Sequence, residues 1–338
     1  MGAASNSRRA VKEFLEGKAP SRPLFLPIVF SLGARIENVP LRTFLSNPTK
    51  IASALRQVRA HLPADGVTCY FEPFVEAEAL GAALHWETEE GPAKLRWPRG
   101  ATADRLPGGM RTPETAAQSG RVPVAVEVVR RMKDALRGST LLMAGLTGPV
   151  ALARMLLQAN EDGAGTSGPM PRAALEASGA ALAEIARALL EAGADVILIQ
   201  ERIPAGLEPE RVEDGVSQLS TTINIIRFYE ALPVLLLAAG DARGPVVACG
   251  GAASACIVCP AWSEASKREV RADGAADSPM WGVALPVNAF DGVENTDRDD
   301  RLAETARQLE PAIVTTAGDI SRIANLKRLA QFRKALDG

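Results

Sequence analysis

Short apolar runs alternate with longer amphipathic stretches along almost the whole chain. Several of these runs are apolar throughout, which is typical of parallel strands that are covered on both faces. We predict eight strands: Leu24–Val29, Val67–Phe71, Thr140–Leu146, Asp195–Gln200, Val234–Ala238, Ala255–Val258, Trp281–Leu285 and Ala312–Thr316. The repeated strand-then-helix order predicts an α/β fold with a parallel sheet, and eight units favour closure into a (β/α)8 TIM barrel.

The same pattern predicts a single barrel domain with three departures from the regular alternation. Residues 1–22 are predicted as an N-terminal helical extension, and residues 23–338 as the barrel. Residues 84–97 are predicted as a hairpin inserted after the second strand. Residues 160–171 are rich in Gly, Ser and Pro and are predicted as a mobile loop. Whether that loop covers substrate or is a plain surface connection stays open.

Composition narrows the class of protein. With 47% hydrophobic residues, the 338-residue chain can bury a large core, which argues against disorder. The net charge of −2 combines both signs without a long basic run, so neither nucleic acid nor a membrane is an expected partner. Four cysteines in a chain of this length do not make a disulfide framework, and we therefore expect a cytoplasmic location.

Three stretches carry a resemblance to a known family: Glu76–Gly81 (EAEALG), Gly145–Ala153 (GLTGPVALA) and Glu191–Ile197 (EAGADVI). In sequence, order and spacing they resemble the uroporphyrinogen decarboxylase superfamily, which includes the decarboxylase and corrinoid-linked methyltransferases. Weaker similarities lie at Pro233–Gly240, Val287–Gly292 and Thr315–Ile320. The resemblance implies a (β/α)8 barrel with its active site at the carboxyl ends of the strands.

The family's thiol-directed methyltransferases hold zinc with a His-x-Cys pair at the end of the fifth strand and a Cys after the eighth. Here the fifth strand ends with Leu237-Ala-Ala-Gly240, and Asp319 lies near the position of the last Cys. The resemblance therefore implies a divergent member without this zinc motif, which argues against a thiol acceptor.

The family's decarboxylases carry two arginines after the first strand and a catalytic Asp after the second. The matching segment Phe30–Ile36 retains one cation, Arg35, and the position of the Asp is taken by Glu72. Glu is one methylene longer and can still hold a cationic intermediate or move a proton. The resemblance to a true uroporphyrinogen decarboxylase is therefore incomplete.

Strand-end geometry predicts a site because the carboxyl ends of parallel strands meet on one side of a barrel. The predicted catalytic residues are four acids: Glu72, Glu201, Asp241 and Asp319. Carboxylates that share a pocket raise one another's pKa, which suits acid–base chemistry, although the acids could also face solvent or pair with arginines. The predicted substrate-binding residues are Arg35, Arg202, Thr147, Asn288 and Cys259. For Cys259, a structural role in the core is the alternative.

The leading hypothesis is an enzyme that transfers a methyl group from a small molecule. The resemblance implies a corrinoid on a partner protein as one acceptor, with an acid such as Glu72 or Asp319 protonating the leaving oxygen or nitrogen. One alternative is a cofactor-independent decarboxylase, a lyase acting on a porphyrinogen or another carboxylic acid, with Arg35 or Arg202 holding carboxylates. Another is a non-catalytic barrel that acts as a scaffold. A homodimer also stays open.

Overall fold

We describe a computed structural model of the chain. It covers residues 2–18, 20–91, 93–96, 110–158, 170–202, 209–237, 256–262, 281–292, 295–320 and 322–337. Most of the predicted loop 160–171 lies outside these residues.

Eight parallel strands form the centre of the described structure. They are β1 (Leu24–Leu26), β2 (Gly66–Tyr70), β5 (Leu141–Thr147), β6 (Val196–Glu201), β7 (Leu232–Leu237), β8 (Ile257–Pro260), β9 (Gly282–Leu285) and β10 (Ile313–Thr316). Each overlaps one predicted strand, although the predicted ends at positions 238 and 255 lie outside the described residues. Two further strands, β3 (Ala83–Trp86) and β4 (Ala93–Arg96), pair antiparallel and overlap the segment 84–97 predicted as a hairpin.

The parallel strands form two sheets that follow one another around the structure. One sheet has the order β2-β5-β6-β7-β8, and the other has the order β1-β10-β9. Isolated parallel bridges from Val258 to Trp281 and from Ala261 to Ala284 connect β8 to β9. On the other side, the Asp65 backbone N–H donates to the Phe25 carbonyl oxygen at 3.0 Å. The architecture is thus a parallel α/β sheet, and its described ladders do not make a continuous closed ring.

Helices pack around these sheets. They are α1 (Gly2–Leu15), α2 (Leu32–Ile36), α3 (Leu41–Leu45), α4 (Pro48–His61), α5 (Val75–Ala79), α6 (Val122–Leu136), α7 (Pro149–Gln158), α8 (Arg172–Ala192), α9 (Pro209–Phe228), α10 (Thr296–Gln308) and α11 (Leu326–Asp337). Local sequence sets their ends: Asn47 caps α4 by accepting N–H groups of Thr49 and Lys50, and Gly193 ends α8 at a φ of 111°. Within the described segments, no helix is long and apolar enough to cross a membrane.

The N-terminal helix α1 packs against the amino ends of the strands. Phe14 is buried in the main core. Ser7 Oγ donates to Asp65 Oδ1 at 2.8 Å, and Arg8 pairs with Asp195 at 3.0 Å. Because Asp65 precedes β2 and Asp195 precedes β6, α1 covers this end and leaves the carboxyl ends for a site.

Candidate active site

A cavity of about 680 Å³ lies at the carboxyl ends of the strands. Segments that end or follow β1, β2, β6, β8, β9 and β10 all contribute to it, together with α3 and the β3–β4 hairpin. Its polar lining residues are Ser31, Glu72, Gln200, Arg202, Asn288 and Asp319. This volume is in the usual range for a site that binds a small molecule.

Aromatic side chains are concentrated in the cavity wall. The chain has nine Phe, four Trp and two Tyr, and five of these residues line the cavity: Phe30, Phe71, Phe74, Trp86 and Trp262. Phe30 has no exposed surface and packs on Tyr70 and Phe44 in the core. Phe74, Trp86 and Trp262 are partly exposed, so their rings are accessible to a ligand.

Asp319 is held in the cavity wall by two backbone groups of the segment that follows β1. The N–H of Phe30 donates to Oδ1 and the N–H of Ser31 donates to Oδ2, both at 2.8 Å. Among the described residues, no Lys or Arg pairs with it. Burial raises the pKa of Asp319 to about 6, although the hydrogen bonds from Ser31 and Phe30 act in the opposite direction. At neutral pH this carboxyl group can therefore gain or lose a proton.

Glu72 lines the same cavity, with one oxygen held in place. Its Oε2 accepts from Arg121 Nη2 at 2.6 Å and from the Phe74 N–H at 3.2 Å. The Nε of Arg121 donates in turn to Glu78 Oε2 at 2.7 Å. Burial raises the pKa of Glu72, and the positive charge of Arg121 offsets part of this effect. Glu72 is thus a buried, partly neutralised carboxyl group with a fixed orientation.

Glu201 was predicted together with the cavity acids, but it is not among the residues that line the cavity. Its Oε2 accepts from the Val150 N–H at 3.0 Å, and its Oε1 accepts from the N–H groups of Ala151 and Arg202 at 2.8 and 2.9 Å. The carboxyl group therefore lies at the N-terminus of α7, where backbone N–H groups lack partners within the helix. Burial raises the pKa of Glu201 to about 7.

The structure brings two of the five predicted substrate-binding residues to the cavity, namely Arg202 and Asn288, both exposed. Arg35 lies on α2, outside the cavity lining, and donates to the Ala324 carbonyl oxygen at 3.2 Å. Thr147 is buried and donates to the Pro73 carbonyl oxygen. Cys259 is buried in the core and packs against Gly282 of β9. Asp241 lies outside the described residues.

Several residues near the cavity were not predicted. Gln200 lines it and donates to the Ala317 carbonyl oxygen at 2.8 Å. Glu76 is fully buried, accepts from the Thr147 N–H at 2.9 Å, and has a pKa that burial raises to about 8. The position of Glu76 in the EAEALG motif could have indicated a functional role, whereas no local pattern marked Arg121 as the partner of Glu72.

In the part of the chain that is described, no group of three His, Cys, Asp or Glu side chains could hold a metal ion.

Comparisons with known proteins bear on the family and the fold of the chain. The family model described as uroporphyrinogen decarboxylase matches residues 6–243. A methyltransferase from Methanosarcina mazei is similar in structure at a TM-score of 0.78, with 17% identity and 98% of each chain covered. A B12-independent methionine synthase from Shewanella sp. W3-18-1, solved with selenomethionine, is similar at a TM-score of 0.53, with 12% identity and 87% of each chain covered. A search of curated proteins returned no match.

Proposed function

Because the chain belongs to the uroporphyrinogen decarboxylase family, we propose that its two sheets close into one (β/α)8 barrel whose cavity takes a methyl group from a small molecule. The observation that carries the proposal is Asp319. It is a carboxyl group in the cavity wall, with a pKa near 6 and, among the described residues, no cationic partner. Such a group can donate a proton to the oxygen or nitrogen from which the methyl group leaves, and a protonated oxygen or nitrogen is the better leaving group.

The surrounding residues have separate roles in this proposal. Arg121 fixes one oxygen of Glu72, so the Glu72 carboxyl group orients the substrate next to Asp319. The aromatic side chains exclude water from the reacting centre and contact the apolar part of the substrate. Such positioning supplies much of the rate enhancement in enzymes that transfer a group between two bound molecules.

The likeness to the Methanosarcina mazei protein, which is a methyltransferase, supports transfer over other chemistries of the family. For the acceptor, we propose a corrinoid carried by a partner protein, which would supply a nucleophilic metal centre when bound. In this proposal the partner contacts the rim of the cavity, where Arg202, Val287 and Asn288 are exposed. The cytoplasmic location and the homodimer stay predictions.

The charge of the cavity favours transfer over decarboxylation of a porphyrinogen. A substrate with several carboxylates needs several cations, as the family's paired arginines indicate. Among the described lining residues, Arg202 is the one cation, and it shares the cavity with the acids Glu72 and Asp319. Arg35, the other arginine considered for carboxylates, lies outside the lining.

The test is a spectral titration of reduced cobalamin with the full chain and two candidate methyl donors, 2-methoxyphenol and N,N-dimethylethanolamine. We expect one donor to give methylated cobalamin. We expect Asp319→Asn to reduce the rate by roughly 10²- to 10⁴-fold because an amide cannot donate the proton in the same way. The matched control is Asp300→Asn, an exposed change on α10 that should leave the rate unaltered.

Two results would contradict this function. Release of carbon dioxide from a porphyrinogen, without methylation of cobalamin by either donor, would favour the decarboxylase. An unchanged rate in the Asp319→Asn variant would exclude Asp319 as the proton donor.

A further inference from the structure

The wall of the cavity also indicates the charge of its substrate. We infer that the substrate is a methylated amine, bound as its ammonium cation between the aromatic side chains and the Asp319 carboxylate. This inference rests on the proposed methyl transfer and names the class of its methyl donor.

The first observation is that the partly exposed aromatic residues of the cavity come from different elements of the fold. Phe74 follows β2, Trp86 lies in β3 of the hairpin, and Trp262 follows β8, so three separate elements bring aromatic side chains to one cavity. The faces of aromatic rings carry partial negative charge and attract cations, most strongly in Trp. Sites that bind methylated ammonium groups commonly surround them with such rings.

The second observation is the state of the two acids. Glu72 already pairs with Arg121, whereas Asp319 accepts from neutral groups of Phe30 and Ser31 and pairs with no cation among the described residues. A desolvated carboxylate gains most from a positive charge on the bound substrate, since its described surroundings supply hydrogen bonds but no cation. A neutral methyl ether would contact the aromatic wall but would leave this carboxylate without a cationic partner.

The third observation concerns Arg202, the one cation among the described residues that line the cavity. Arg202 lines the cavity but is exposed, and it forms no described ion pair with Asp319. An ammonium group of the substrate is therefore the complement that this wall lacks.

The chemistry balances with the role of Asp319. A free amine that enters the cavity takes the proton from the Asp319 carboxyl group, and this gives an ammonium–carboxylate pair. When the methyl group leaves for the nucleophilic acceptor, the electron pair of the broken C–N bond stays on nitrogen. The product is a neutral amine that still carries the proton from Asp319, and the acceptor supplies the electrons of the new bond to the methyl group.

Binding can be tested separately from turnover by calorimetric titration of the full chain with two probes of the same shape. Choline carries a quaternary ammonium group, and 3,3-dimethylbutan-1-ol replaces its nitrogen with carbon. We expect choline to bind at least roughly tenfold more tightly, because cation–aromatic and carboxylate contacts act only on the charged probe. Asp319→Asn should remove most of this preference and leave the affinity for the alcohol unchanged, whereas Asp300→Asn should retain the preference.

A second variant keeps the test informative if Asp319→Asn fails to fold. Trp86 lies on the hairpin outside the two parallel sheets, so Trp86→Leu should fold and should weaken choline binding more than binding of the alcohol. Equal affinity for the two probes, or tighter binding of the alcohol, would overturn the inference. Methylation of cobalamin by 2-methoxyphenol without a choline preference would also overturn it and leave the proposed function intact. A choline preference without methyl transfer to cobalamin from either donor would support the cation site and contradict the proposed function.

Discussion

Two aspartates bind the same stretch of chain at opposite ends of the sheet, in opposite electrostatic surroundings. At the amino end, Asp65 accepts from the Phe25 N–H of β1, from Arg22 at 2.7 and 2.9 Å, and lies 3.4 Å from Arg333. At the carboxyl end, Asp319 accepts from the N–H groups of the segment after β1 and, among the described residues, has no cationic partner.

The pKa values follow this difference. Burial acts to raise the pKa of Asp65, but the hydrogen bond from Arg22 and the charge of Arg333 outweigh it and hold the pKa below its ordinary value. Burial of Asp319 is not compensated in this way, and its pKa rises to about 6. The amino end is therefore built for stability, whereas the carboxyl end keeps a buried carboxyl group without a described cationic partner. Active sites of barrel enzymes lie at this second end.

The largest expected effect is on the amino end. Asp65→Asn should lower the free energy of unfolding at pH 7 by about 3 kcal/mol, because it breaks the paired contact with Arg22 and leaves buried Arg333 with the half-exposed Asp337 alone among its described counter-ions. Since the pKa of Asp65 is lowered by folding, its contribution is present above its unfolded pKa and is lost as pH falls through the folded value. Urea unfolding of the variant and the wild type at pH 7 measures the loss of stability, and the same experiment below pH 4 tests whether the contribution of Asp65 is lost there.

Asp337→Asn serves as the control, because Asp337 also pairs with Arg333 but its side chain is about half exposed. Its effect should stay within about 0.5 kcal/mol. If the two variants lose equal stability, the idea that the amino end is stabilised by buried charge pairing fails.

A smaller effect of opposite sign is expected at the carboxyl end. Because folding raises the pKa of Asp319, this group makes the fold less stable as pH rises from about 4 to about 6. Asp319→Asn should therefore gain about 2 kcal/mol relative to the wild type between pH 4 and pH 7. Urea unfolding of both proteins at pH 4, 5.5 and 7 measures the difference, and a constant difference would contradict the raised pKa.

The sequence carried enough information for the strands but not for the closure of the sheet. Runs such as Leu232–Leu237 are buried at every position, and their length and apolarity alone predict a covered parallel strand. The pairing between β1 and β2 depends on how far each strand twists and tilts, which no local pattern records. The (β/α)8 class thus came from counting units and from the family resemblance.

For the site, the rule that the carboxyl ends of parallel strands meet predicted which residues lie near the cavity better than it predicted which way their side chains point. It brought Glu72, Asp319, Arg202 and Asn288 to the cavity. It could not foresee that Arg121, far away in sequence, would pair with Glu72, because such contacts depend on the packing of α6. No sequence pattern predicted the aromatic wall of the cavity either, since its residues come from separate elements of the chain.

The alternation of side chains along a strand would have corrected the prediction for Glu201. Adjacent residues of a strand face opposite sides, so once Gln200 faces the cavity, Glu201 must face away. Glu201→Gln should therefore cost about 1 kcal/mol of unfolding free energy at pH 5, through weaker hydrogen bonding at the start of α7, and leave methyl transfer unchanged. Because folding raises the pKa of Glu201 to about 7, this cost should shrink as the pH rises to 8. Urea unfolding and the cobalamin titration together test this prediction, with Glu210→Gln, at an exposed position of α9, as control. A large loss of methyl transfer at unchanged stability would return Glu201 to the group of cavity acids and weaken the contrast between the two ends.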